Sequence, residues 1–261
     1  MFTGLSAFPL TPSTDDGIDE AAYARLIRRL IDAGVDSIGA LGSTGSYAYL
    51  SREERARAAI VAVENAGDVP VIVGVGALRT PDVLCHVEDA QNAGASAVLL
   101  APMTYQPLTD DEVFGLHRDV SANLSVPLVV YDNPGTTDFH FSDDLHARIA
   151  QLSSVASIKI PPVSSDVDDA RARIAGLRAL IPSRVTIGVS ADGTAATGLL
   201  AGADNYHSLF AKVLAAEYVE TVAAGCADEV KDEGEILDQF WPVWAFLINA
   251  EGSMHPQTPT I

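Results

Sequence analysis

Residues 97–131 read AVLLAPMTYQPLTDDEVFGLHRDVSANLSVPLVVY and contain one complete unit of the predicted fold. The unit begins with the apolar run 97–101, continues through an amphipathic segment near 110–123, and ends in the apolar run 128–131. Thr109 and Glu112 have the spacing of a capping box, which predicts the start of the helix. Apolar strands on either side of a helix are typical of a parallel sheet that is covered on both faces.

The same unit repeats along the chain. Strands are predicted at 5–10, 37–41, 71–75, 97–101, 128–131, 155–160, 185–189 and 204–208, and helices between them. Eight units in 261 residues favour a (β/α)8 TIM barrel over an open doubly wound sheet. We therefore predict an α/β protein with a barrel core at residues 1–208. Residues 209–261 are predicted to form the last barrel helix and a C-terminal helical extension.

Composition excludes several classes of function. The net charge of −19 would repel a nucleic acid backbone, so we expect no nucleic acid partner. There is no apolar run long enough to predict a membrane span, and no signal peptide pattern is evident at the start. The two cysteines lie far apart, at 85 and 226, which indicates reduced thiols in a cytoplasmic protein.

The predicted strand VASIKI, residues 155–160, places a lysine among apolar neighbours. Side chains alternate between the two faces of a strand. The two predicted faces are Ala156, Ile158 and Ile160 on one side, and Val155, Ser157 and Lys159 on the other. Because the apolar face should pack against the helices, Lys159 is predicted to point into the barrel, near the strand ends where barrel enzymes have their sites.

A lysine inside a barrel has a clear chemical use. Burial away from acidic groups disfavours the charged amine, and a neutral lysine is the nucleophile that Schiff-base chemistry requires. The alternative is that Lys159 extends past the strand end to water, or pairs with a distant acid. The same alternation predicts that Tyr131 shares a face with Val129, and that Ser190 shares one with Gly188.

Four short motifs resemble those of the dihydrodipicolinate synthase/N-acetylneuraminate lyase family. The stretch GSTGS (42–46) with Leu50, Ser51 and Glu54 is similar to its glycine-rich turn and following helix start, and VYDNPGTT (130–137) is similar to its Tyr-Asn-x-Pro motif. SIKI (157–160) falls where the family has its lysine, and TP…DGID (11–19) is similar to its opening. The four motifs occur in the family's order and at similar spacings.

The resemblance implies a role for each matching residue. Lys159 matches the lysine that forms an imine with a 2-oxo acid, normally pyruvate, and Tyr131 matches the tyrosine that relays protons. Ser43 or Thr44 would provide a hydroxyl for this relay, and we take Thr44 as the catalytic candidate and both as substrate-binding residues. The turn of Gly42, Ser43, Thr44 and Gly45 would hold the substrate carboxylate, which agrees with the affinity of such turns for anions. We also predict substrate contacts from Ser190 and His207. The alternative for His207 is a core or loop histidine that does not contact the substrate.

The chain departs from the family at several positions. The synthases of the family have an arginine one residue beyond the Tyr-Asn-x-Pro motif, which binds the carboxylate of the aldehyde substrate, whereas Gly135 and Thr136 follow Pro134 here. The paired tyrosines after the fourth strand are replaced by Met103 and Thr104, so the displaced Tyr105 is the candidate for a relay between subunits. The family resemblance implies a homo-oligomer, a dimer or a tetramer.

These observations predict a class I carbon–carbon lyase or aldolase. It would form an imine between Lys159 and a 2-oxo acid and would cleave or form a carbon–carbon bond with an aldehyde partner, using no metal and no organic cofactor. The first alternative is the 4-hydroxy-tetrahydrodipicolinate synthase of lysine biosynthesis, which the missing arginine disfavours. A second is a non-catalytic barrel that binds 2-oxo acids or sugars, and a third is an unrelated phosphate-binding barrel. The second substrate, the direction of reaction and the oligomer stay open.

Overall fold

The computed structural model describes residues 2–208, and the predicted C-terminal helical extension at 209–261 lies outside them. The strands are β1 (Gly4–Ala7), β2 (Ser13–Thr14), β3 (Gly17–Ile18), β4 (Ser37–Ala40), β5 (Val71–Gly74), β6 (Ala97–Leu100), β7 (Leu128–Tyr131), β8 (Val155–Ile160), β9 (Thr186–Ser190) and β10 (Asn205–Ser208). The helices are α1 (Glu20–Asp32), α2 (Arg52–Asn65), α3 (Thr80–Asn92), α4 (Asp110–Ser121), α5 (Pro134–Thr137), α6 (Asp143–Ala150), α7 (Val167–Leu180) and α8 (Ala195–Leu200).

Eight parallel strands close into a barrel in the order β1-β10-β9-β8-β7-β6-β5-β4. Strands β2 and β3 form a separate antiparallel hairpin that the sequence did not predict. Helices lie between successive barrel strands, so the predicted (β/α)8 architecture is confirmed. No helix in residues 2–208 has the length and apolar character that a membrane span needs.

Helix starts follow the predicted capping chemistry. In α2 the side chain of Ser51 accepts from the Glu54 N–H, and the Glu54 carboxylate accepts from the Ser51 N–H. Thr109 and Glu112 form the same reciprocal pair at the start of α4. These two capping boxes satisfy backbone groups that would otherwise lack partners, and they determine where each chain segment turns from a loop into a helix.

The strands separate two apolar layers. Alternate side chains pack outward against the helices, and the others fill the barrel. The inner layer consists of Phe2, Phe8, Ile72, Ala97, Leu99, Ala101, Val129 and Tyr131. The prediction that Tyr131 and Val129 share a face of their strand is therefore confirmed, and this face points into the barrel.

One strand departs from simple alternation. The register between β7 and β8 shifts between Leu128 and Val129, where Ala156 is the extra residue of a β-bulge. Ala156 packs against the inner layer, and Val155 packs in the outer one. The predicted orientation of these two side chains is thus wrong, because an alternation rule does not anticipate a bulge. Beyond the bulge the alternation resumes, and Lys159 points inward.

Candidate active site

Lys159 lies inside the barrel, as alternation predicted. The residue is only 6% exposed. The Nζ atom is 4.1 Å from the centroid of the Tyr131 ring and 4.2 Å from that of Phe8. Within residues 2–208 it has no ion pair with a carboxylate. This burial argues against the alternative in which the amine extends to water.

Strand pairing brings Tyr131 to the same place. Tyr131 on β7 is directly opposite Lys159 on β8, and the Asp132 N–H donates to the Lys159 carbonyl at 3.0 Å. Residues that are paired on neighbouring parallel strands point to the same side of the sheet. The phenol and the amine are therefore positioned by the barrel itself, and loop conformation has little part in it.

The Tyr131 hydroxyl connects this pair to the glycine-rich turn. Its oxygen is 2.9 Å from Ser43 Oγ, across 88 residues of sequence. Of the two hydroxyls that the family resemblance offered, the structure brings Ser43 to Tyr131. The side chain of Thr44 forms no hydrogen bond with any described residue.

The turn itself is a single 3₁₀ turn, Ser43–Gly45, between β4 and α2. The Gly45 N–H donates to the Gly42 carbonyl at 2.9 Å, whereas the N–H groups of Ser43 and Thr44 have no partner within residues 2–208. Free N–H groups at such a turn favour a bound anion. Gly42, Ser43, Thr44 and Gly45 thus lie together near the strand ends, as the sequence predicted.

Close backbone packing supports this turn from below. Leu41 adopts a left-handed conformation, with φ of 57°, immediately before the turn. A Cβ on Gly74 of the neighbouring strand would overlap the Leu41 carbonyl oxygen and lie 2.8 Å from its carbonyl carbon. Only glycine fits at this position, so Gly74 indirectly sets the position of the turn.

His207 also faces the interior of the barrel. It is 2% exposed, its ring meets Phe8 edge-on at 5.3 Å, and its Nε2 lies 3.3 Å from the Asn205 amide nitrogen. Burial and the nearby Lys159 hold the pKa of His207 well below its usual range, so the imidazole is neutral. Nδ1 is buried and has no hydrogen-bond partner in the described chain. Ser190 is paired with His207 across β9 and β10 and is partly exposed.

Two residues near Lys159 were not predicted from the sequence. Phe8 contacts both Lys159 and His207, and Asn133 donates from Nδ2 to the Tyr131 hydroxyl at 2.8 Å. Asn133 belongs to the motif that carried the resemblance, but a sequence pattern does not say where its amide points. Phe8 lies within the first predicted strand, 5–10, and directly after the observed β1, and nothing in its spacing distinguishes it from a core residue.

Other predicted features lie elsewhere. Tyr105 is 88% exposed and is not brought to Lys159 within the chain. Arg148, the next arginine after the Tyr131 motif, pairs with Asp111 at 2.9 Å and stacks over the Phe114 ring at 4.6 Å. Both of these partners are on α4, so the Arg148 side chain lies against that helix and not at the barrel mouth. Residues 2–208 contain no group of three or more acidic, histidine or cysteine side chains arranged to hold a metal ion.

Comparisons with known proteins agree with this geometry. A sequence model of the dihydrodipicolinate synthetase family matches residues 1–254. The chain belongs to this family. A curated relative, 4-hydroxy-tetrahydrodipicolinate synthase from Salinibacter ruber, is 32% identical over 234 residues, which is 88% of this chain and 75% of the relative.

Solved structures of the family superpose on most of this chain. The dihydrodipicolinate synthase of Agrobacterium tumefaciens is 39% identical, with a TM-score of 0.89 over 95% of this chain and 84% of that one. The Acinetobacter baumannii synthase, solved in complex with pyruvate, is 27% identical, with a TM-score of 0.79 over 92% of this chain and 80% of that one. Family membership confirms the predicted enzyme class, a Schiff-base-forming carbon–carbon lyase that acts on a 2-oxo acid.

Proposed function

We propose that Lys159 is the residue that forms the imine and that pyruvate, or a close 2-oxo acid, is its partner. The observation that carries this proposal is the buried Lys159 amine beside Tyr131, whose hydroxyl is hydrogen-bonded to Ser43. The complex of the Acinetobacter baumannii synthase with pyruvate supports the choice of substrate.

The reaction begins when the lone pair of the Lys159 nitrogen attacks the ketone carbon of the 2-oxo acid. Two protons reach the ketone oxygen, one lost from the lysine nitrogen and one supplied by Tyr131 with Ser43, so that the oxygen leaves as water and a protonated imine remains. Tyr131, left as a phenolate, then takes the proton of the substrate's hydroxyl group as the carbon–carbon bond breaks. An aldehyde is released, and the electron pair of that bond moves into the imine and gives an enamine. Protonation of the enamine and addition of water then free the 2-oxo acid and the lysine. In the opposite direction the same enamine adds to the aldehyde.

The turn at 42–45 holds the substrate carboxylate in this proposal. Ser43 and Thr44 contribute N–H groups that are free in the described chain, and Gly42 and Gly45 allow the close approach. His207 and Ser190 contact the substrate from β10 and β9 in this proposal. Because His207 is neutral, its Nδ1 can take part as a hydrogen-bonding group without adding charge. The imine is covalent, so the chemistry calls for no metal or organic cofactor.

The partner aldehyde binds without an arginine at the position of Thr136. Arg148 is held by Asp111 and Phe114, so it cannot replace the missing side chain without breaking both contacts. We therefore favour an aldehyde that has no carboxylate to place near Thr136. We also propose a cytoplasmic homo-oligomer, a dimer or a tetramer, in which the exposed Tyr105 enters a neighbouring site.

Borohydride trapping tests the proposed function. The protein is incubated with pyruvate and sodium borohydride, digested, and mapped by mass spectrometry. The chain has only three lysines, Lys159, Lys212 and Lys231, so the modified position can be assigned without ambiguity. We expect the reduced adduct on the peptide with Lys159 and none after Lys159→Met. An unmodified Lys159 peptide in the wild type would refute the proposal.

A further inference from the structure

Within residues 2–208, the side chains that form hydrogen bonds with the Tyr131 hydroxyl are Ser43 and Asn133. The Asn133 Nδ2 donates to the phenol oxygen at 2.8 Å and to Thr136 Oγ1 at 2.6 Å. The Thr136 hydroxyl in turn lies 3.4 Å from the backbone carbonyl oxygen of Asn133. Thr136 therefore donates its hydrogen to that carbonyl and accepts from the amide. Both hydrogens of the amide nitrogen are accounted for in this arrangement.

Ordinary helix capping does not explain this side chain. Asn133 occupies the N-cap of α5, where an asparagine normally accepts from a backbone N–H of the first turn. Here the side chain makes no capping hydrogen bond. The backbone carbonyl of Asn133 accepts from the N–H groups of Thr136 and Thr137 at 3.1 Å, which are the ordinary first hydrogen bonds of the helix. The amide is thus free to be directed at Tyr131.

We propose that Asn133 is a positioning residue that sets the direction of the proton relay. Since the amide nitrogen can only donate, it occupies a lone pair of the phenol oxygen, and the hydroxyl hydrogen of Tyr131 then points to Ser43 Oγ. The chain of donors runs from Asn133 through Tyr131 to Ser43. This order keeps the phenol proton on the side of the turn that holds the substrate, and it holds the ring in place before the ketone arrives.

The inference rests on the proposed function of Lys159, and its test separates the two. The rate at which the Lys159 adduct forms is followed by quenching pyruvate mixtures with borohydride at successive times. Asn133→Leu and the isosteric Asn133→Asp are both expected to slow adduct formation about tenfold, the effect of one lost hydrogen bond. The final yield of adduct stays unchanged. The matched control is Asn123→Leu, which removes an exposed asparagine amide bonded to a backbone carbonyl on α4 and leaves the rate unchanged.

A second readout does not depend on the imine. The ¹³Cζ resonance of Tyr131 is identified by its loss in Tyr131→Phe, and it reports hydrogen bonding at the phenol oxygen. We expect this resonance to shift in Asn133→Leu and to stay in place in Asn123→Leu. An adduct that forms in Asn133→Leu as fast as in the wild type would overturn the inference, as would an unshifted resonance. A wild type that forms no Lys159 adduct would refute the proposed function, while the resonance would still decide whether Asn133 directs Tyr131.

Discussion

Replacing Gly74 with alanine should damage the protein far more than the change of one methyl group implies. The added Cβ would overlap the carbonyl oxygen of Leu41 and lie 2.8 Å from its carbonyl carbon. Both atoms belong to the backbone, so a side-chain rotation cannot relieve the clash, and either β5 or the chain before the turn must move. Overpacking of this kind costs about 3 kcal/mol of the free energy of unfolding. For a chain of this size the melting temperature then falls by about 6 to 12 °C.

The same clash predicts a loss of activity. Leu41 directly precedes the turn that carries Ser43, so a displaced carbonyl lengthens the hydrogen bond from Ser43 to Tyr131. We expect kcat to fall about tenfold at temperatures where the variant is still folded.

Urea unfolding of Gly74→Ala and Gly115→Ala measures the stability change directly. Gly115 lies within α4, and a Cβ there meets nothing within 4 Å, so alanine should stabilise the helix by about 1 kcal/mol. If Gly74→Ala unfolds with a free energy within about 1 kcal/mol of the wild type, the close packing of Gly74 on Leu41 is refuted.

Four further predictions concern the site and the pH dependence of stability. Tyr131→Phe should lower kcat by about 10² to 10⁴, measured as release of 2-oxo acid, and a loss below tenfold would contradict its role in proton transfer. Ser43→Ala should act mainly on kcat and Thr44→Val mainly on the KM for the 2-oxo acid; the reverse pattern would contradict the assignment made from the Ser43 contact. Condensation of pyruvate with aspartate semialdehyde should be slow and should not saturate, because Thr136 stands where an arginine would bind the aldehyde's carboxylate; efficient turnover would overturn this. Burial lowers the pKa of His117 to about 4, below its ordinary 6.5, so the unfolded chain binds the proton first, and stability should be lost as the pH falls from 6.5 towards 4. His117→Leu should remove about 3 kcal/mol of that loss in urea titrations, and an unchanged pH dependence would contradict the assignment.

Much of the barrel follows from the sequence because its strands are buried on both faces. Such strands appear as continuous apolar runs, and those at 128–131 and 155–160 have the bounds that the structure shows. Short elements without an apolar pattern were missed, such as the hairpin at 13–18 and the four-residue helix α5. The bulge at Ala156 was missed for a related reason, since one extra residue reverses the alternation of its neighbours without changing their composition.

The site was predicted in part. Alternation placed Lys159 and Tyr131 inside the barrel, and the glycine-rich turn came from motif resemblance. The sequence does not distinguish Ser43 from Thr44, because adjacent residues in a turn differ only in the direction of their side chains. The hydrogen bond from the Asn133 amide to Tyr131 could not be predicted for the same reason.

A crystal structure of the protein soaked with pyruvate is the decisive measurement for the imine on Lys159. We predict continuous electron density between Nζ of Lys159 and the ketone carbon of pyruvate, with the carboxylate at the turn of Ser43 and Thr44. Pyruvate bound in the barrel beside an unmodified Lys159, or a covalent adduct on another residue, would contradict it.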